Sequence, residues 1–203
     1  RAKVLGGGGG VVGGQAALVA AGMGASVTVL DINSARLADL DRVHGTRIST
    51  GFSNAQAIDT LAREADVVVG SVLLPGRAAP KLIKRETIEA MRPGSIVIDV
   101  AIDQGGCTEV SHPTTHDEPT FRVGNATVYC VANMPGAVAR TASVALAGAS
   151  LPYVRTLAND GIDGIAKHPG LLSGFSTYRG ELLHAEVAEA HGLESSDASA
   201  LLG

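Results

Sequence analysis

Three glycines near the start of the chain are spaced Gly8-x-Gly10-x-x-Gly13, and a carboxylate, Asp31, follows 18 residues after the third. Glycine at the first position permits a tight turn, and at the second it lets the backbone approach a pyrophosphate. At the third it lets helix and strand pack closely. The helix that the motif opens would aim unpaired N–H groups and the positive end of its dipole at the phosphates, with Val11 and Val12 counted among the cofactor-binding residues. Asp31 would accept hydrogen bonds from the adenosine ribose hydroxyls and repel a 2′-phosphate, which favours NAD over NADP as cofactor. Arg36, five residues on, could itself take a phosphate and weakens that preference. A Gly-rich loop without function would account for the glycines alone. It would not account for the strand–turn–helix–strand–Asp frame around them.

Asp103 ends an apolar run, at the place where α/β sites assemble. A carboxylate there suits general acid–base work, although a turn carboxylate ahead of Gly105-Gly106 is the plainer alternative. His112 and His116 have the i, i+4 spacing of a metal pair. Pro113 and the polar surroundings argue against the helix that such a pair needs, and no cysteine completes a site, so no metal is expected. Cys107 has no evident base beside it and is not read as a nucleophile. His44, His168, His184 and His191 read as surface residues.

The elements that must hold these groups alternate. Strands are predicted at Lys3-Val4-Leu5, 27–31, 47–50, 66–72 and 95–100, with helices at 14–22, 34–40 (Ser34 as cap), 54–65 (Asn54 as cap) and 85–91. Continuous Val/Ile runs imply strands buried on both faces, hence a doubly wound parallel α/β sheet of Rossmann type. Gly6 and Gly7 stand where a first strand needs bulky apolar residues. Each should weaken it by about 0.5–1 kcal/mol. Beyond a polar loop at 111–119, residues 121–123 and 127–131 can pair as a hairpin across Gly124-Asn125. Helices are then expected at 137–147, 151–158 and 186–190. The boundary falls near Arg140, giving a cofactor domain at 1–139 and a helical segment of a second domain at 140–203.

Of 203 residues, 26 are glycine, nearly double the usual share of about 7%. The 45% apolar and 18% charged content is ordinary for a globular chain. A net charge of −4, no Trp, and three each of Tyr and Phe argue against a nucleic-acid partner. No apolar run reaches the roughly 18 residues of a membrane span, and no signal peptide is visible. Two distant cysteines outside any CxxC pattern suit a reduced, cytoplasmic setting. Arg1 opens almost in mid-strand, so the sequence is expected to begin inside a longer protein.

Four stretches carry a family resemblance: LDINSARL (30–37), VLLPGRAAPKL (72–82), VIDVAIDQGGCTEVSHPTTHDEPTF (97–121) and VANMPGAVARTAS (131–143). They closely resemble alanine dehydrogenase, over essentially the whole chain. The NAD-binding portion of proton-translocating transhydrogenase is similar, but typically carries Glu where the DQGG block has Asp103. The resemblance implies reversible NAD-dependent deamination of L-alanine to pyruvate and ammonia, by a homohexamer of two-domain subunits. It places Gly8, Gly10 and Gly13 at the pyrophosphate, and Asp31 with Arg36 on the adenosine side. Ser53, Val72, Leu73 and Leu82 would line the adenine and ribose pocket. Val100, Asn133 and Met134 would lie at the nicotinamide, with Asp103 the active-site carboxylate. The family's catalytic His and its substrate-holding Arg and Lys lie in an N-terminal domain that this sequence lacks. The chain alone is therefore expected to bind NAD weakly and to turn over no alanine. Leu151, Val154, Leu157, Leu171 and Leu172 would be partly exposed. The alternatives are a non-catalytic NAD-binding or oligomer-forming module and a transhydrogenase-like subunit.

Overall fold

The computed structural model describes residues 1–72 and 78–198. They form two units, residues 1–72 with 78–134, and residues 135–198. The division falls between Met134 and Pro135, five residues before the boundary read from sequence.

The first unit is a doubly wound α/β sheet. Its strands are β1 (Lys3–Gly7), β2 (Ser26–Asp31), β3 (Ile48–Phe52), β4 (Val67–Gly70), β5 (Ile96–Asp99), β6 (Thr120–Val123) and β7 (Ala126–Tyr129). Their order is β3-β2-β1-β4-β5-β7-β6; all pairings are parallel except that of β6 with β7. The helices are α1 (Val11–Gly22), α2 (Ser34–His44), α3 (Ala55–Glu64) and α4 (Arg85–Glu89). Alternate strand residues divide between two cores. Leu5, Leu30, Val68, Val97 and Val128 face Ile58 and Ala62 of α3 and Ile88 of α4. Val4, Val27, Val29 and Val69 face Ala17 of α1 and Leu40 of α2. Val29, Val68, Val97 and Val128 are fully buried, each worth about 1.5–3 kcal/mol of transfer free energy. Where α1 and α2 stop covering the sheet, Val67, Val69 and Ile98 open onto a hollow of about 930 Å³ that Val11, Val12, Val19 and Met23 also line.

Gly6 and Gly7 do not end β1. Gly6 pairs with Val29 and Val69, and Gly7 with Leu30 and Gly70, so ladders on both sides carry the strand through the glycines. The cap of α2 is Asn33, not Ser34. The Asn33 side chain accepts from Arg36 N at 3.1 Å, and its own N–H is pinned to Asp31 Oδ1 at 2.8 Å, which fixes the cap one residue early. Asn54 caps α3 as expected, accepting from Ala57 N at 2.8 Å.

The second unit is helical, with α5 (Ala139–Lys167), α6 (Pro169–Ser173), a two-residue hairpin β8 (Thr177–Tyr178) and β9 (Glu181–Leu182), and α7 (Ala185–His191). The two helices expected at 137–147 and 151–158 are one. Pro152 lies inside α5, removing one N–H from its ladder. Ser150 Oγ donates to Leu146 O and Thr156 Oγ to Pro152 O on either side of it. The break comes later, at Gly161, whose φ of 55° leaves the helical region. Leu151, Val154 and Leu157 are exposed, while Leu171 and Leu172 are half-buried. Of the histidines read as surface residues only His191 is exposed. His44, His168 and His184 are half-buried, His168 lying edge-on to Tyr153.

Candidate functional site

The parallel strands all finish at one margin of the sheet, and the sequence-predicted residues collect there. Gly8 to Gly10 follow β1, Asp31 ends β2, Ser53 follows β3 and Val72 follows β4. Val100 and Asp103 follow β5, and Asn133 with Met134 lie beyond β7. The strand order reverses between β1 and β4, and ligands of open α/β sheets bind in the crevice at such a reversal.

The glycine turn is built around contacts that exclude side chains. A Cβ on Gly13 would stand 1.9 Å from Gly8 O and 2.4 Å from Ser71 Oγ. Gly8 has φ +103°, and a Cβ there would be 3.1 Å from Ser71 O. Ser71, which no motif singles out, clips the turn to the end of β4. Its N–H donates to Gly7 O at 2.8 Å, and its hydroxyl is shared between Gly7 O and Gly8 O at 3.1 Å each.

Gly10 is different. It is exposed, and a Cβ there would meet nothing within 4 Å. Behind it α1 begins with no capping side chain and no acid in its first turn. The N–H groups of that turn therefore face outward without helical acceptors, a cradle that fits a pyrophosphate. The side chains of Val11 and Val12 line the hollow on the sheet face, so only their backbone is available to the turn.

Asp31 Oδ2 accepts from Gly9 N at 2.6 Å and Oδ1 from Asn33 N at 2.8 Å. Each carboxylate oxygen keeps a second lone-pair site, enough to take ribose hydroxyls as well. Arg36 donates through Nε to Gly9 O and through one Nη to Gly10 O, which turns its guanidinium onto the loop. Ser53 N donates to the main-chain carbonyl of Asp31 at 2.9 Å, which sets Ser53 next to the end of β2.

Val72 is half-buried, its Cγ2 3.3 Å from the position a Gly8 Cβ would take. Leu73 lies outside the described residues. Leu82 is half-buried against Leu5, Ile58 and Cys107, with its N–H on Cys107 O at 2.8 Å. Val100 is half-buried at the head of the short helical turn Val100–Gln104, and Asp103 is exposed upon it. Asn133 is exposed in the left-handed region at φ 56°, its carbonyl 3.3 Å from His116 Nε2. Met134 is half-buried. The rings of His112 and Phe121 stack at 4.0 Å, so the two histidines have separate partners.

Sequence reasoning missed Asp99. Its carboxylate is fully buried at the end of β5, accepting from Cys107 N at 2.8 Å, Ala101 N at 3.1 Å and Thr108 N at 3.3 Å. The signal was present: an acid closing an apolar strand, with two glycines shortly after it. Burial, followed by the Asp99 charge, pushes the Cys107 thiol well above the usual cysteine range, and burial raises Cys130 too.

The family described as "Alanine dehydrogenase/PNT, C-terminal domain" matches residues 1–185. Alanine dehydrogenase of Halomonas elongata is 51% identical over 97% of this chain and 53% of its own length. That of Methanococcus maripaludis is 46% identical over 96% of the chain and 53% of its own. A solved L-alanine dehydrogenase superposes with a TM-score of 0.84 at 44% identity, over 95% of this chain and 53% of that one. A transhydrogenase from Sinorhizobium meliloti superposes with a TM-score of 0.72 at 26% identity, over 91% of this chain and 50% of that one. The chain thus spans about half the length of the curated relatives it matches.

Proposed function

The chain belongs to the alanine dehydrogenase/PNT C-terminal domain family, and from that premise we propose that it is the NAD-binding part of an alanine dehydrogenase. The reaction would be the reversible oxidation of L-alanine with NAD+ and water to pyruvate, ammonia (released as ammonium), NADH and a proton. The observation that supports it most is the glycine turn: Gly13 sealed against Gly8 and Ser71, and Gly10 open in front of an uncapped α1.

Bound NAD would supply the hydride acceptor. This chain's residues would do the rest of what lies on their side of the site. The N–H groups at the start of α1 would hold the pyrophosphate, and Asp31 the adenosine ribose. Val72 and Leu82 would flank the adenosine end and shed water there. Asp103 would take a proton from the amine and assist water's attack in imine hydrolysis, general acid–base steps that suit an exposed carboxylate at a strand end. Residues 135–198 would belong to the substrate domain, and the whole to a cytoplasmic homohexamer. A transhydrogenase-type subunit is the second reading, supported by the 0.72 superposition but at much lower identity.

Titration of the chain with NADH and NADPH tests the reading. NADH should bind, weakly, and NADPH at least tenfold more weakly, because Asp31 repels a 2′-phosphate. Asp31→Ser should narrow that gap. Absence of NADH binding, or a preference for NADPH, would count against it. Alanine-dependent NADH production by residues 1–203 alone should be undetectable.

A further inference from the structure

Between β5 and β6 the backbone from Val100 to Ser111 is held from two sides by opposite charges. From below, the buried Asp99 carboxylate accepts the N–H groups of Ala101, Cys107 and Thr108 and the hydroxyl of Ser111. From outside, the exposed Lys81 ammonium donates to Gly105 O and, at 2.9 Å, to Gly106 O. Gly106 is the hinge of this arrangement. At φ +78°, with its Cβ position 2.8 Å from Asp99 Oδ2 and 2.5 Å from Ser111 Cβ, no larger residue fits. Among the described residues no cation is paired with this buried carboxylate; such a group is retained only when several donors satisfy it, and the described donors all belong to this loop.

The geometry points to Asp99 and Lys81 as a pair of positioning residues that fix the Val100–Gln104 turn, and Asp103 upon it, against the nicotinamide end of the crevice. Neither would touch the reacting atoms. The inference rests on the dinucleotide reading above for the ligand it positions Asp103 against.

The test compares NADH with ADP-ribose, which shares the adenosine and pyrophosphate groups but has no nicotinamide ring. The unmodified chain should bind NADH several-fold more tightly than ADP-ribose. Lys81→Met, an exposed change that leaves the core intact, should erase that margin while altering ADP-ribose affinity less than twofold. Lys81→Arg should restore it. Asp99→Asn should do the same as Lys81→Met, and amide exchange at residues 101–111 should quicken at least tenfold in both variants while β1 and β4 stay protected. Equal weakening of both ligands would mean a fold defect and overturn the pairing. So would an unchanged NADH margin in Lys81→Met, whether or not Asp99→Asn folds. An unmodified chain that binds neither ligand would sink the dinucleotide reading first, before any variant is compared.

Discussion

At Gly13 a single methyl group separates two kinds of damage. Its Cβ would lie 1.9 Å from Gly8 O, whereas one on Gly10 would meet nothing within 4 Å. Gly13→Ala should therefore lose both NADH binding and about 1–3 kcal/mol of stability, as overpacked sites do. Gly10→Ala should keep its urea midpoint within error and lose at least tenfold in NADH affinity. The two thiols give a pH prediction. Burial holds Cys107 and Cys130 above the ordinary value, so both stay protonated in the fold while the unfolded chain ionises near pH 8.5. The sign follows: stability is intact below that pH and falls above it, at up to about 1.4 kcal/mol per pH unit per thiol. Neither thiol should react with Ellman's reagent until urea unfolds the chain. The close packing at Gly8 and Gly13 was legible in the sequence because a tight strand-to-helix turn demands glycine at fixed offsets. Lys81 and Ser71 were not, and the acid that closes β5, Asp99, went unread. The partners of Lys81 and Ser71 are main-chain groups 24 to 64 residues away, and any sequence supplies those.

The strands and helices of the first unit were legible for a related reason. A run such as Val67-Val68-Val69 is apolar on both faces, and only a covered parallel strand buries it so. What failed was local competition. Asn33 and Ser34 are both good caps, and the choice was made by Asp31 holding the Asn33 N–H, a tertiary contact. The expected break between Ala147 and Leu151 never forms, because α5 absorbs Pro152 and yields at Gly161 instead. The short β8–β9 hairpin offered no periodicity to read. On β1, the two glycines predicted to weaken the strand leave a stabilising substitution open. At Gly7 a Cβ would find Val69 O at 3.6 Å, ordinary contact. Gly7→Ala should add about 0.5–1 kcal/mol, measured by urea melting, by relieving the entropy that glycine loses on folding.

Across the whole molecule, burial is uneven. The three apolar clusters among the described residues all lie in residues 1–134, while the second unit buries little beyond Ile165, Leu183 and Ala188. Hydrogen exchange should follow that division, with amides of β1, β4 and β5 protected at least a hundredfold more than those of α5. Equal protection of both would contradict it. The hairpin that closes the sheet has an effect of another kind. Parallel sheets are open-ended templates, and an unpaired margin can recruit strands from other chains. Here the outermost strand, β6, is four residues long, follows directly on Pro119, and turns Arg122 outward across the hairpin to Thr127 and Asn125. A short edge carrying a cation disfavours lateral pairing from this margin. Arg122→Val should weaken that protection and show itself as more thioflavin-positive growth at high concentration than the unmodified chain gives.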